Sequence, residues 1–433
     1  METAQLMGQL VMLVTLLCMV SGKTPLYLTA IVGSIIAAVV AGIPFNPPAA
    51  IDGVVGPSIR SLFNGGLNPV LVDMLGVLLF IGIMEKVGYL EIIVIKIINI
   101  GKKIGGGPGV AAAGAVSAGV IGGLTGFTQP AITAVITGPA AIKLGVDKHK
   151  AAGMSGLAGV LGNYGGFTHP TMLAVVATTG ITFGMINVIG ALVAMVAIGT
   201  AFILLSREIK ANRASGAAVA ETSAEDVKLD LKEIAPGDTW KAVFPFIVLI
   251  VGFVAGFPII VVGILSALIA VAISGIKLAD GETAMKDGLV RITTPLLATV
   301  GFLFMSGVIG QVGITTLISE TLSPALSVAP IQTILLVAAL AGFVTQSNGA
   351  SIPIVLAVLY PAVNDFGADP FAAAVVAAGA PAIMQYYLTG GPVAALATVI
   401  PVIPGSELKA ANKFQRPTLL AALGALLIIS FIV

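Results

Sequence analysis

Charged residues are scarce in this sequence. Only 9% of its 433 positions are Asp, Glu, Lys or Arg, against roughly 25% in a soluble domain. A chain so poor in charge cannot cover a globule with water-facing groups, so lipid must be its main solvent. The few charges nearly cancel, to a net +1, and leave no basic field to hold nucleic acid. The single cysteine, Cys18, excludes an internal disulfide framework and any cysteine metal cluster. Two histidines, His149 and His169, leave little for a metal site. With acids this sparse, the clustered His, Asp or Glu of a membrane-embedded enzyme are also missing, so the chain reads as a non-enzyme with no cofactor. No Lys or Arg precedes the first apolar run in METAQLMGQL, whereas a cleaved signal peptide starts positive. Residues 5–20 therefore read as a retained first helix.

Apolar residues make up 57% of the chain, and its mean hydropathy is +1.08. Apolar runs recur over about 5–20, 25–45, 69–87, 108–124, 130–144, 151–184 and 185–205, then 241–257, 258–275, 294–312, 331–345, 352–366, 370–403 and 417–433. Runs near 20 residues, without a ten-residue alternation, predict spanning helices rather than a barrel. The 53 Gly and 24 Pro let helix backbones approach closely in lipid and hint at broken helices. The one polar stretch, within 206–240, contains ETSAEDVKLDLKE and predicts a solvated linker. It divides a first membrane repeat, 1–205, from a second, 241–433.

The halves match in order. Leu78, Gly82, Val87 and Gly88 recur 225 residues on as Leu303, Gly307, Val312 and Gly313. Pro139, Gly145, Asp147 and Pro170 recur 222 residues on as Pro361, Gly367, Asp369 and Pro392, and Thr128-Gln129 recurs as Thr345-Gln346. Lys102, Lys103, Lys143, Lys148 and Lys150 flank the paired runs 108–124 and 130–144, so both ends of that pair are expected on the cytoplasmic side. The pair is then a re-entrant hairpin. Its counterpart is flanked by Asp365 and Asp369 and is expected to enter from outside. Each repeat thus has about five crossings, one hairpin and a broken helix. Five is odd, so the second repeat is inverted, the linker is cytoplasmic and both termini lie outside.

Inverted repeats with interrupted helices are a transporter pattern. A break at mid-membrane frees backbone groups, tolerated only where they line a cavity or bind something. Four segments carry polar residues with Gly or Pro inside apolar sequence: Thr125–Pro130, Gly162–Pro170, Thr345–Ser351 and Gln385–Pro392. A lone Thr or Ser would read as interhelical glue, but four clusters at repeat-related breaks point to binding. The candidate substrate and ion residues are Thr128, Gln129, Asn163, Thr168, His169, Thr345, Gln346, Ser347, Asn348, Ser351, Gln385 and Thr389. Freed helix N-termini suit anions, freed carbonyls suit Na+, and His169 could carry a proton. Asp73 is an intramembrane acid whose repeat position is Ala298. Segments 88–106 and 313–330 read as amphipathic arms at the membrane surface.

With Ser347-Asn348-Gly349 in the second tip and Phe167-Thr168-His169-Pro170 in the first break, the chain resembles the ion-transporter superfamily of organic-anion carriers. It is most like the gluconate-permease and citrate-carrier branches. In dicarboxylate carriers of that superfamily a Ser-Asn-Thr motif at each tip holds sodium and the substrate carboxylate. Here Gly349 stands where Thr is expected, and Thr128-Gln129-Pro130 departs from the motif. The resemblance implies a sodium ion at Ser347 and Asn348. It also implies a homodimer and an elevator mechanism, in which one part of each protomer is a fixed scaffold and the other slides with its substrate. The His-Pro element resembles that of proton-driven gluconate-type permeases.

The expected function is secondary active transport of a small organic anion, a carboxylate, across the inner membrane by symport with Na+ or H+. The alternative is a cation/proton antiporter, for which Asp73 alone is thin support. A passive channel fits broken helices less well.

Overall fold

The computed structural model describes the whole chain except residues 1, 22, 51–54, 68–69, 127, 129, 216–233, 291–292 and 389–394. Of Glu2, Val70, Asp73, Met74, Pro236, Thr294, Pro295 and Ala395 only the backbone is described. Among the described residues every regular element is a helix, and there is no strand. The first half contains α1 (Glu2–Ser21), α2 (Leu26–Val40), α3 (Ile59–Gly65), α4 (Val70–Lys86), α5 (Tyr89–Thr125), α6 (Ala131–Lys143), α7 (Lys148–Gly156), α8 (Ala158–Tyr164), α9 (Pro170–Thr179) and α10 (Met185–Ala214). The second contains α11 (Pro236–Val254), α12 (Ile259–Ser274), α13 (Leu278–Val290), α14 (Thr293–Gln311), α15 (Ile314–Val328), α16 (Pro330–Thr345), α17 (Asn348–Asn364), α18 (Pro370–Met384), α19 (Ala395–Val399) and α20 (Leu408–Ile429).

Four described helices, within α1, α5, α10 and α11, are long and apolar enough to cross a membrane on their own. The pair α14 and α15 passes the same test together but is bent by 75°. The remaining apolar helices are shorter, at 10–17 residues, less than the roughly 20 residues a straight crossing needs. Glycines set the sharp turns. Gly88 (φ 75°) and Gly313 (φ 80°) lie in the left-handed region, which costs glycine nothing, and each begins a new helix. Within α5 the backbone departs from helical angles at Gly105 and Gly106. The expected arm, 88–106, is therefore the first part of α5, and the outgoing arm of the hairpin is the second.

Two features differ from the sequence reading. The linker expected over 206–240 is helical at both ends, because α10 continues to Ala214 and α11 starts at Pro236. Residues 207–214 contain Arg, Lys, Glu and Ala, good helix formers once a long helix is nucleated. Helices α3 and α13 occupy segments between the apolar runs. α3 is closed by a reciprocal Ser58–Ser61 capping box of the kind that starts helices without an apolar stripe.

The helices pack as three bundles. In the first, α4 lies against α12 and α13, and α11 packs on α12. Small residues make these contacts: Gly76 meets Gly263, and Gly82 meets Gly288, so closely that an added Cβ would lie within 3 Å of the facing Cα. The second bundle holds the second part of α5, α6 to α10 and α16 to α20, with α16 on both α17 and α18 and α10 along α20. In the third, α14 lies against α2 and α3, and α1 packs on α2. Asp147 and Asp369 cap α7 and α18 from matching places, each side chain accepting from backbone N–H groups of the first turn. Large apolar side chains such as Leu13, Leu192, Leu265 and Leu336 are exposed on the outside of the molecule, where lipid is the expected solvent.

Candidate functional site

All four interrupted segments fall in the second bundle. The first hairpin turns after Thr125, with Gly126 left-handed (φ 85°) and α6 starting beyond Pro130. The second turns at Gln346 and Ser347 between α16 and α17. The first crossing helix is interrupted between Tyr164 and Pro170, and the second is interrupted after Met384. Gln129 and Thr389 lie outside the described residues.

The first tip and first break are sewn together through glycine. Phe167 N donates to Gly123 O (2.9 Å), and Thr168 Oγ1 donates to the same carbonyl (3.1 Å). An added Cβ on Gly123 would sit 2.9 Å from the Gly166 Cα. Thr128 fits against Gly122 and Gly162, both of which have room only for a hydrogen. Asn187 on α10 completes the seam. Its Nδ2 donates to Gly166 O (2.7 Å), and its Oδ1 accepts from Gly184 N (3.0 Å).

The second tip and second break are joined by side chains. Ser347 caps α17, its Oγ accepting from Ala350 N (3.3 Å). Thr345 Oγ1 donates to Ser347 O (3.0 Å), and Ser351 Oγ donates to Asn348 O (2.7 Å). Asn348 N donates to Gln385 Oε1 (3.0 Å), which ties the tip to the break. Gln346 holds φ 47°, the one left-handed non-glycine conformation among the described residues, which costs about 1–3 kcal/mol.

The two halves then meet. His169 caps α9, its Nδ1 accepting from Thr171 N (3.3 Å), and Asn348 Nδ2 approaches the same nitrogen (3.5 Å). The N-termini of α9 and α17 thus converge on one buried point. Asn163 Nδ2 donates to the Tyr386 hydroxyl (3.0 Å), and the Tyr164 hydroxyl donates to Val375 O (2.8 Å). The tyrosines cross: an added Cβ on Gly379 would strike the Tyr164 ring, and one on Gly159 the Tyr386 ring. Tyr164→Phe is expected to cost about 0.5–1.5 kcal/mol, the net worth of one hydrogen bond, read as a lower unfolding temperature in detergent. Tyr386→Phe should cost about 1–3 kcal/mol, because it strands the buried Asn163 amide.

Several buried polar atoms have no hydrogen-bond partner among the described residues, and four lie here: Thr128 Oγ1, Thr171 Oγ1, Gln346 Oε1 and Asn348 Oδ1. Buried polar atoms are normally satisfied, so four orphans around one constellation mark a place built for something else to complete. All four are oxygens able to face a hard cation or, for the hydroxyls, to donate to an anion. Thr171 was not among the residues singled out from sequence.

Nor were Asn187, Asn412, Arg416, Tyr164 and Tyr386. Asn412 Nδ2 donates to Tyr386 O (2.8 Å), as Asn187 does to Gly166 O, so each break is held by an asparagine of the last helix in its half. Asn187 and Asn412 stand 225 residues apart, the interval of the Leu78, Gly82, Val87 and Gly88 matches, and that spacing could have revealed them. Arg416 lies inside α20, where its Nε donates to Tyr387 O (3.2 Å) and Asn412 Oδ1 (3.1 Å) and its guanidinium covers the Tyr387 ring. Asp73 stands on α4. Among the described residues no group of His, Cys, Asp and Glu could hold a metal ion.

The fold is similar to that of MtrF from Neisseria gonorrhoeae, one of a class of antimetabolite efflux pumps. The identity is 14%, over 94% of this chain and 95% of that one, with a TM-score of 0.62. It is equally similar to the YdaH transporter of Alcanivorax borkumensis, which has an unusual topology: 15% identity over 96% and 98% of the two chains, TM-score 0.61. No family model matches the sequence, and no curated protein matches it. The likeness is to a transporter fold, and does not single out the gluconate-permease or citrate-carrier branch that the tip residues resemble.

Proposed function

We propose that this protein is a secondary active transporter that carries a small organic anion, a carboxylate, together with Na+. One observation carries the reading. The N-termini of α9 and α17 converge at His169 and Asn348, beside buried oxygens without partners among the described residues. Two helix N-termini supply a positive field for a carboxylate without a buried lysine. The unpartnered amide and hydroxyl oxygens supply ligands for a hard cation, with Ser347 and Asn348 as the sodium residues.

Sodium is favoured over a proton by the geometry at His169. Its Nδ1 already accepts from Thr171 N, and protonation there would remove that cap. This is the role of a neutral, positioned imidazole rather than of a proton carrier. The elevator reading is supported by the packing, since all four polar interrupted segments lie in the second bundle and none in the first or third. Two inverted repeats, a homodimer and an inner-membrane location with external termini belong to the same proposal. The antiporter alternative has little to draw on among the described residues around the breaks, where no carboxylate is found.

The test is uptake into proteoliposomes, with a panel of mono- and dicarboxylates under a Na+ gradient alone and a H+ gradient alone. Current that needs both a carboxylate and Na+ is the expected result. Carboxylate-independent Na+/H+ exchange would overturn the anion reading. The likeness to an efflux pump favours a second reading, export, so both orientations of the gradient are to be measured.

A further inference from the structure

Beside the first break is a cavity of about 330 Å³ that the transport reading does not use. Its floor is the glycine seam, Gly119, Gly123, Gly165 and Gly166, with Phe167. One wall is α10, through Ala191, Leu192 and Met195. The other is α11, through Phe246, Phe253 and Val254. The cavity therefore lies across the boundary between the first and second bundles, since α11 packs with the first and the seam belongs to the second. Phe167 and Phe253 close its inner end, their ring centroids 4.5 Å apart.

The mouth gives onto the outside of the molecule. Leu192 is 60% exposed, Met195 43% and Val254 52%, all on helices apolar enough to cross a membrane. At 1.5 Å per residue, Leu192 and Met195 lie roughly 10–15 Å along α10 from Met185. That is within the hydrocarbon layer, in the half of the helix remote from Arg207, Lys210 and Arg213. The one polar lining residue, Asn187, has both ends of its amide engaged. Water needs several polar partners to occupy a buried space, and this space offers none. The medium at its mouth is hydrocarbon. We infer that the cavity is a binding site for a lipid acyl chain, entering between α10 and α11 and ending against the glycine seam of the first break.

An acyl chain there would fill the boundary that the second bundle must cross if it slides. The inference itself stands on cavity, mouth and depth, and does not depend on transport. Its test reads occupancy directly. Trp240 is the chain's only tryptophan, and Trp240→Phe keeps its ring contact with Phe244 while clearing the background. In that background a reporter is introduced by Phe253→Trp at the cavity's inner end, or by Phe246→Trp should the first fail to fold. The protein is reconstituted in phosphatidylcholine with ordinary or 9,10-dibrominated chains. Bromine quenches indole only near contact, so an occupied cavity gives quenching as deep as that of a Leu192→Trp reporter at the lipid face. A Phe302→Trp reporter, buried in α14 away from the cavity, should stay bright. Adding Ala191→Phe to fill the cavity should restore the brightness of the reporter at 253. Quenching at 253 no deeper than at 302, or quenching that survives Ala191→Phe, would overturn the inference.

Discussion

Asn348→Ala is expected to abolish coupled uptake while leaving the fold in place. The side chain contributes little to holding the second tip together. Among the described residues its Oδ1 has no partner, and its Nδ2 makes only a long approach to His169. The backbone bond from Asn348 N to Gln385 and the Ser347 cap do not need it. What the substitution removes is an oxygen waiting for a ligand. A hydrogen bond or ligand contact to a charged group is worth about 1.5–3 kcal/mol, so uptake at low substrate should fall about ten- to hundredfold. The unfolding temperature in detergent should stay near the parent's. Normal uptake by this variant would remove the second tip from the site. A variant that is both inactive and strongly destabilised would assign Asn348 a packing role instead.

Gly166→Val should be strongly damaging to both fold and transport. A side chain at 166 would be driven into the Gly162 carbonyl and the Gly123 backbone, and backbone cannot rotate aside as a side chain can. Overpacking of a tight core costs about 1–3 kcal/mol and occasionally more. Here it would also separate the first tip from the first break, breaking the bonds from Phe167 N and Thr168 Oγ1 to Gly123 O. Loss of transport should come with an unfolding temperature several degrees lower, at about 2–4 °C per kcal/mol in a domain of 150–250 residues. Gly199→Ala is the matched control. It lies in the middle of α10 with nothing within 4 Å of an added Cβ, so it should be neutral or stabilise by up to about 1 kcal/mol through helix propensity. If Gly166→Val were as well tolerated as Gly199→Ala, the seam would not be the joint described here.

The helix interruptions were legible in the sequence. Within lipid a free backbone group costs several kcal/mol, so a chain can stop a helix there only with residues that make the stop tolerable. Those residues are visible as text: Gly126, the Gly165-Gly166 pair before His169-Pro170, and Ser347-Asn348 after a glycine-bearing helix. Asp147 and Asp369 were read only as a repeat match and a hairpin flank, and their capping role came with the structure. The ends of helices were read less well. The polar residues after Arg207 looked like linker, yet they continue α10, because an established helix extends into water without needing an apolar face.

What the sequence by itself determined is the class of protein and the location of its breaks, since both follow from local constraints: too little charge for water, and no escape for backbone polar groups in lipid. Only the tertiary structure decided which breaks meet. It brought His169 to Asn348, crossed Tyr164 and Tyr386 over glycines of the opposite half, set Arg416 over the Tyr387 ring and left a cavity between α10 and α11. The physical reason is that membrane helices here are apolar on every side. No periodic stripe points to a partner, and association rests on close packing of small residues, a property of shape that appears only when the helices are side by side.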